Sequence, residues 1–161
     1  MPMKPSAAAR LLPHTAARAL LLAAASCAQL PPTSAVAIPP IPAGEARLWI
    51  YRNDGPYDPQ ATPYVRLNGQ VAGVSGANGA FYRDVAPGHY LVSVDSYGRD
   101  VYQFAETNLT AGQVAYVLVQ SLRQKVGGGE SGAFRDIFYT RLIPVETGRA
   151  AIANTPFYGG N

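Results

Sequence analysis

From Glu45 onward the chain is a succession of short β-rich runs cut by turn signals, with no helix-length segment between them. This texture limits the fold more than any single residue does. The run Ala46–Arg52 alternates Leu48 and Ile50 against Trp49 and Tyr51, the period-2 pattern of a strand. Tyr64–Leu67 and Gln70–Val74 flank Asn68-Gly69, whose tolerance of two positive φ values makes a type I′ hairpin turn. Further strands are expected at Ala80–Val85, His89–Asp95, Val101–Asn108, Gln113–Leu122 and Phe134–Ile143. Eight short strands at this spacing predict an all-β fold, an antiparallel β-sandwich or barrel, of which the sandwich is the expected form. Val114–Val119 is apolar on both faces and predicts a central strand, whereas Phe134–Ile143 mixes apolar and charged residues and predicts an edge. A short helix is expected near Thr147–Ala153.

Composition agrees with this and removes other classes. Charged residues are 14% of the 161, and the chain carries 16 Gly and 14 Pro, which excludes coiled coils, helical bundles and charge-driven disorder. No apolar run reaches the ~18 residues of a membrane-spanning helix. The net charge of +3 is confined to the start of the chain, because Lys4, Arg10 and Arg18 account for the whole excess. The remainder is balanced, so nucleic acid is not an expected partner.

Residues 1–26 have the plan of an export signal: a basic, acid-free start, the apolar run Ala19–Ala25 and small residues beyond it. The single cysteine, Cys27, follows directly. Ala24-Ala25-Ser26-Cys27 resembles a bacterial lipobox, in which the cysteine is diacylated and becomes the mature N-terminus, although Leu is usual where Ala24 stands. One cysteine in an exported chain forms no intramolecular disulfide. Several acyl chains would make a stable anchor. The alternative is ordinary cleavage after Ala28 or after Ala35-Val36-Ala37. With Ala28 next to the cysteine, the lipobox resemblance implies a lipid-anchored protein of the bacterial envelope, at the outer membrane on its periplasmic side. Residues 27–44 follow as lipidated Cys27 and a tether. Within them Pro31, Pro32, Pro39, Pro40 and Pro42 predict an extended spacer over Gln29–Gly44, roughly 50 Å long at ~3.1 Å per residue. Residues 45–161 would then form the sandwich.

The strand Ala46–Arg52, the Asn68-Gly69 hairpin, Pro87-Gly88-His89 leading into a strand, and Ala111-Gly112 before Val114-Ala115-Tyr116-Val117 together resemble the domain of unknown function 2846 family. The resemblance spans Ala46–Ile143 and departs at the Pro- and Gly-rich stretch Asn53–Pro63. It implies a small Gram-negative lipoprotein with a PEGA-like or carboxypeptidase-regulatory-like sandwich, and supplies no catalytic residues.

Chemistry-bearing clusters are sparse. His89, Ser93 and Asp95 share a strand face, but at ~3.3 Å per residue His89 and Ser93 lie about 13 Å apart, against the ~3 Å that a nucleophile and its base require. Beyond the leader, His89 is the only histidine and no free thiol is expected, so no transition-metal site is expected. Gly127–Gly132 fits G-x-G-x-x-G literally, yet a strand follows it where a dinucleotide site needs a helix. Asn53-Asp54-Gly55 with Asp58 lacks the ligand count of a calcium loop and reads as a turn. No cofactor and no enzymatic activity are expected.

Ten tyrosines, all beyond the leader, are the main surplus. Tyrosine joins an apolar ring to a hydroxyl and suits both cores and binding faces. Tyr90, Tyr116 and Tyr102 sit in apolar runs and are expected in the core; Tyr57, Tyr64, Tyr97 and Tyr158 fall near loops and are candidate binding residues. The expected function is a non-catalytic interaction or accessory module of the envelope. The alternative is a binder of envelope glycan or peptide through those four tyrosines. Tyrosines grouped at one end would favour the second.

Overall fold

The computed structural model describes residues 29–53, 61–96, 98–126 and 133–161. Nine strands, one α-helix and a single 3-10 turn (Thr33–Ala35) are described: β1 (Ala46–Arg52), β2 (Tyr64–Leu67), β3 (Gln70–Val74), β4 (Gly79–Val85), β5 (Gly88–Val94), β6 (Ala105–Leu109), β7 (Val114–Val126), β8 (Ala133–Ile143), α1 (Val145–Ala153) and β9 (Phe157–Gly159). They form a sandwich of two sheets, one in the order β8-β7-β1-β4-β9 and the other β3-β2-β5-β6. β7 lies between neighbours and β8 at the edge, as their compositions require. Pairing is mixed rather than wholly antiparallel, because β1 runs parallel to β7 and β4 parallel to β9. Among the described residues no helix is long and apolar enough to cross a membrane.

The core between the sheets takes Leu48, Ile50, Val117, Val119 and Phe138 from one sheet and Val65, Leu67, Val92 and Leu109 from the other. The five-stranded sheet also buries its outer face. There Trp49, Tyr51, Tyr82 and Tyr116 pack with Ile152 of α1 and with Ile38 and Phe157. Hence every residue of β1 is buried. Gly148 brings α1 against the sheet, since a side chain there would meet the ring of Tyr116.

Ile38 belongs to the stretch expected to be a free spacer, yet it packs against the outer face of the sheet. Residues 31–42 lie along the domain. The N–H of Phe157 donates to the carbonyl of Pro31 (2.9 Å), Pro32 bridges Pro156, and Thr33 is buried. The guanidinium of Arg47 donates to the carbonyl of Pro39 (2.7 Å) and to both carboxylate oxygens of Asp84 (2.6 and 2.7 Å), and it stacks over Tyr82. Proline lacks a donor but keeps its acceptor, so a proline-rich strap can still be bonded to a sheet. Cys27 itself lies outside the described residues.

The hairpin turn is as its residues dictate. Asn68 (φ 49°) and Gly69 (φ 83°) both occupy the left-handed region, and Leu67 pairs with Gln70 across them. Asn68 also extends the ladder to β5, with its backbone N–H donating to Leu91 O (2.9 Å) and its side-chain oxygen accepting from Leu91 N–H (2.8 Å).

One strand begins later than its apolar run suggested. Val101 and Tyr102 form a turn, and β6 starts only at Ala105. Tyr102, expected in the core, is instead 84% exposed and has φ 58°. The cause is local side-chain competition for the backbone: Asp100 accepts from the Val101 N–H (2.7 Å), and Gln103 accepts from the Asp100 N–H (2.8 Å). Tyr116 is buried as expected, and Tyr90 is half-buried against the core.

Candidate functional site

Strand directions bring two of the four candidate tyrosines, Tyr64 and Tyr158, to one end of the sandwich. β1, β3 and β5 finish there, while β2, β4 and β6 begin there, since Arg52 pairs with Gly79 and Val65 with Val94. Tyr64 opens β2 and is 51% exposed; Tyr158, in β9, is 50% exposed. Tyr57 and Tyr97 lie outside the described residues.

Two open clefts flank Tyr64 and Tyr158 and meet at Thr62, which lines both. One, of about 340 Å³, has Gly73, Gly76, Phe81, Arg83 and Tyr158 among its walls. The other, of about 460 Å³, is bounded by Tyr64, Asp95, Ser96 and Phe138. Glycines shape the first. A side chain at Gly76 would meet the Tyr158 hydroxyl at 2.9 Å, one at Gly79 would strike the Tyr158 ring, and one at Gly73 would meet Phe81 at 2.6 Å. The Tyr158 ring therefore lies flush on backbone, with half its surface left to solvent.

Polar groups around the clefts are held by neighbours. Arg66 donates to both oxygens of Asp95 (2.8 and 3.1 Å), which holds that carboxyl below the usual carboxylate range. Arg83 stacks over Phe81 and donates to the carbonyl of Tyr82 (2.7 Å), and burial draws its pKa downward. Beneath the second cleft, buried Arg52 stacks over Phe138 and donates to the carbonyls of Ala61 (2.7 Å) and Ser75 (3.3 Å). Such a site offers aromatic faces, a hydroxyl, a carboxylate and a guanidinium at a shallow surface, a set suited to stacking and hydrogen bonding.

The trio His89, Ser93 and Asp95, on β5 and the residue just after it, is dispersed into other pairings. His89 faces Glu106 (3.4 Å) and Asp95 is held by Arg66, so neither is directed at Ser93. Among the described residues no group of three His, Cys, Asp or Glu side chains converges. The Gly127–Gly132 segment and Asp54, Gly55 and Asp58 lie outside the described residues; β8, a strand, follows the glycine-rich segment. Thr62, Phe81, Arg83 and Phe138 also line the clefts and were not among the expected site residues. The spacing of Gly73, Gly76 and Gly79 beside a strand was the signal that aromatic rings would lie on backbone there.

The fold and this aromatic end define a β-sandwich with a shallow surface site. No protein-family model, curated protein or solved structure matches the chain.

Proposed function

We propose that this protein is a non-catalytic interaction module of the bacterial envelope, held at the outer membrane, periplasmic side, by acyl chains on Cys27. The lipobox-like Ala24-Ala25-Ser26-Cys27 supports the anchor. The observation that carries the binding role is the placement of half-exposed Tyr64 and Tyr158 beside clefts that meet at Thr62. That grouping favours the more specific reading, in which the module binds an envelope glycan or peptide through those rings. Ring faces stack on the apolar faces of sugars, while Thr62, Asp95 and Arg83 lie alongside to hydrogen-bond hydroxyls or amides. The resemblance to the domain of unknown function 2846 family is consistent with this assignment and adds no residues to it.

Two measurements test the proposal. Metabolic labelling with an alkyne fatty acid should mark the wild type and spare Cys27→Ser; equal labelling of both would refute the anchor. Titration of the isotope-labelled full-length chain with soluble peptidoglycan fragments should shift resonances of Thr62, Tyr64 and Tyr158. Unchanged spectra, or shifts elsewhere only, would refute the glycan reading.

A further inference from the structure

A second surface, sharing no lining residue with the tyrosine clefts, lies where β8 meets the turn before β6. Tyr102 (84% exposed), Phe104 (51%) and Leu142 project into solvent around an open groove of about 360 Å³, whose floor is Ala105 and buried Thr140. Val101, 68% exposed, extends the apolar patch beside Tyr102. The turn that displays these side chains is firmly held. Gln103 donates to Gly98 O (3.0 Å) and Phe138 O (3.3 Å), its own carbonyl accepts from the Thr140 N–H (3.1 Å), and Asp100 accepts from the Tyr139 hydroxyl (2.6 Å). Tyr102 is thus an aromatic residue with positive φ, a costly conformation, kept in water by neighbours that over-determine the turn.

The backbone of β8 indicates what would use it. Phe138 and Thr140 direct their main-chain groups away from β7, toward Ser96 and Gln103. By the alternation of an antiparallel strand, Leu142 presents its N–H and C=O on that same outer side, where β8 is the sheet edge. Arg141, also lining the groove, makes no ion pair among the described residues. Two copies meeting edge to edge at Leu142 would bring their Arg141 guanidiniums close together, which disfavours self-association.

We propose that this groove docks an extended apolar peptide segment carrying an acidic residue, added as a strand beside Leu142 with its carboxylate at Arg141 and its apolar side chains against Tyr102 and Phe104. Main-chain bonds at Leu142 supply affinity, and the apolar and acidic positions supply selection, as in other strand additions to sheet edges.

The test uses the isotope-labelled full-length chain and two acetylated hexapeptides, Thr-Val-Glu-Val-Thr-Val and its counterpart with Lys in place of Glu. The Glu peptide should shift Tyr102, Phe104 and Leu142 and bind about three- to fivefold more tightly than the Lys peptide. Arg141→Glu should reverse that preference. Tyr102→Asn, a residue that tolerates positive φ, should weaken binding while the unfolding midpoint stays level or rises. Equal binding of the two peptides, shifts confined to other surfaces, or no reversal in Arg141→Glu would overturn the proposal. A concentration-dependent dimer abolished by Tyr102→Asn would overturn it in favour of self-association.

Discussion

Thr33 directs both its backbone N–H and its hydroxyl at one acceptor, the carbonyl of Thr155, each at 2.8 Å. The pairing joins the proline-rich strap to the segment between α1 and β9, and so closes the outer face of the larger sheet from both chain ends. A chain beginning at Gly44 should therefore be destabilised, not merely shortened. Loss of Ile38 burial and of the bonds to Thr155 and Phe157 should cost at least about 3 kcal/mol, or about 10 °C in midpoint. Thermal unfolding beside a chain beginning at Ala28 measures this; matching midpoints would restore the free-spacer expectation.

Arg47 and Asp84 form a pair in which both side chains are almost fully buried. The Asp84 hydrogen bond raises the Arg47 pKa, so the guanidinium stays charged under all ordinary conditions. Asp84→Ala leaves that charge buried with only the Pro39 carbonyl and the Tyr82 ring as partners, and should cost about 3–5 kcal/mol. Chemical denaturation of the two chains measures the loss, and a change below 1 kcal/mol would contradict the burial.

Gly69→Val places a β-branched residue at φ 83°. No atom lies within 4 Å of the position a side chain would take, so the cost is backbone strain alone. The denaturation midpoint should fall by the equivalent of about 1–3 kcal/mol. Gly69→Asn should be nearly neutral by comparison.

Acid should weaken the fold through Asp95 and Asp100. The hydrogen bond from Arg66 depresses the first, and the Tyr139 hydroxyl followed by the Val101 N–H depresses the second. A depressed carboxyl stabilises the folded state fully above its unfolded pKa of about 3.9, and that contribution is lost as pH falls through the lower folded value. Stability should thus be level with respect to these groups above about pH 5 and decline below about pH 4. Asp100→Asn should flatten part of the decline in a series of denaturation midpoints.

Much of the architecture was legible because strand alternation and turn chemistry are local. Asn68-Gly69 fixes its hairpin, and the apolar faces of Val114–Val119 place that strand inside a sheet. The strap was illegible because proline advertises a missing donor, whereas Pro31 and Pro39 act here through their carbonyls. In β1, Trp49 and Tyr51 alternated with Leu48 and Ile50, which left open whether their face met water; only long-range packing of α1 and the strap decides it. Tyr102 misled for another reason: Asp100 and Gln103 bond the backbone N–H groups that a strand would have used. At the site, the exposure of Tyr64 and Tyr158 followed from their loop-flanking positions, but the meeting of their clefts at Thr62 depends on strand directions that no short pattern contains.

The Tyr64 and Tyr158 end is the surface proposed to meet a partner in the envelope. Photocrosslinking in cells tests it most directly, with a photoreactive residue at position 64 or 158 and, as control, at exposed position 149 on α1. A discrete adduct is expected from positions 64 and 158 and none from 149. Adducts of equal yield from all three positions, or none from 64 and 158, would contradict the proposal.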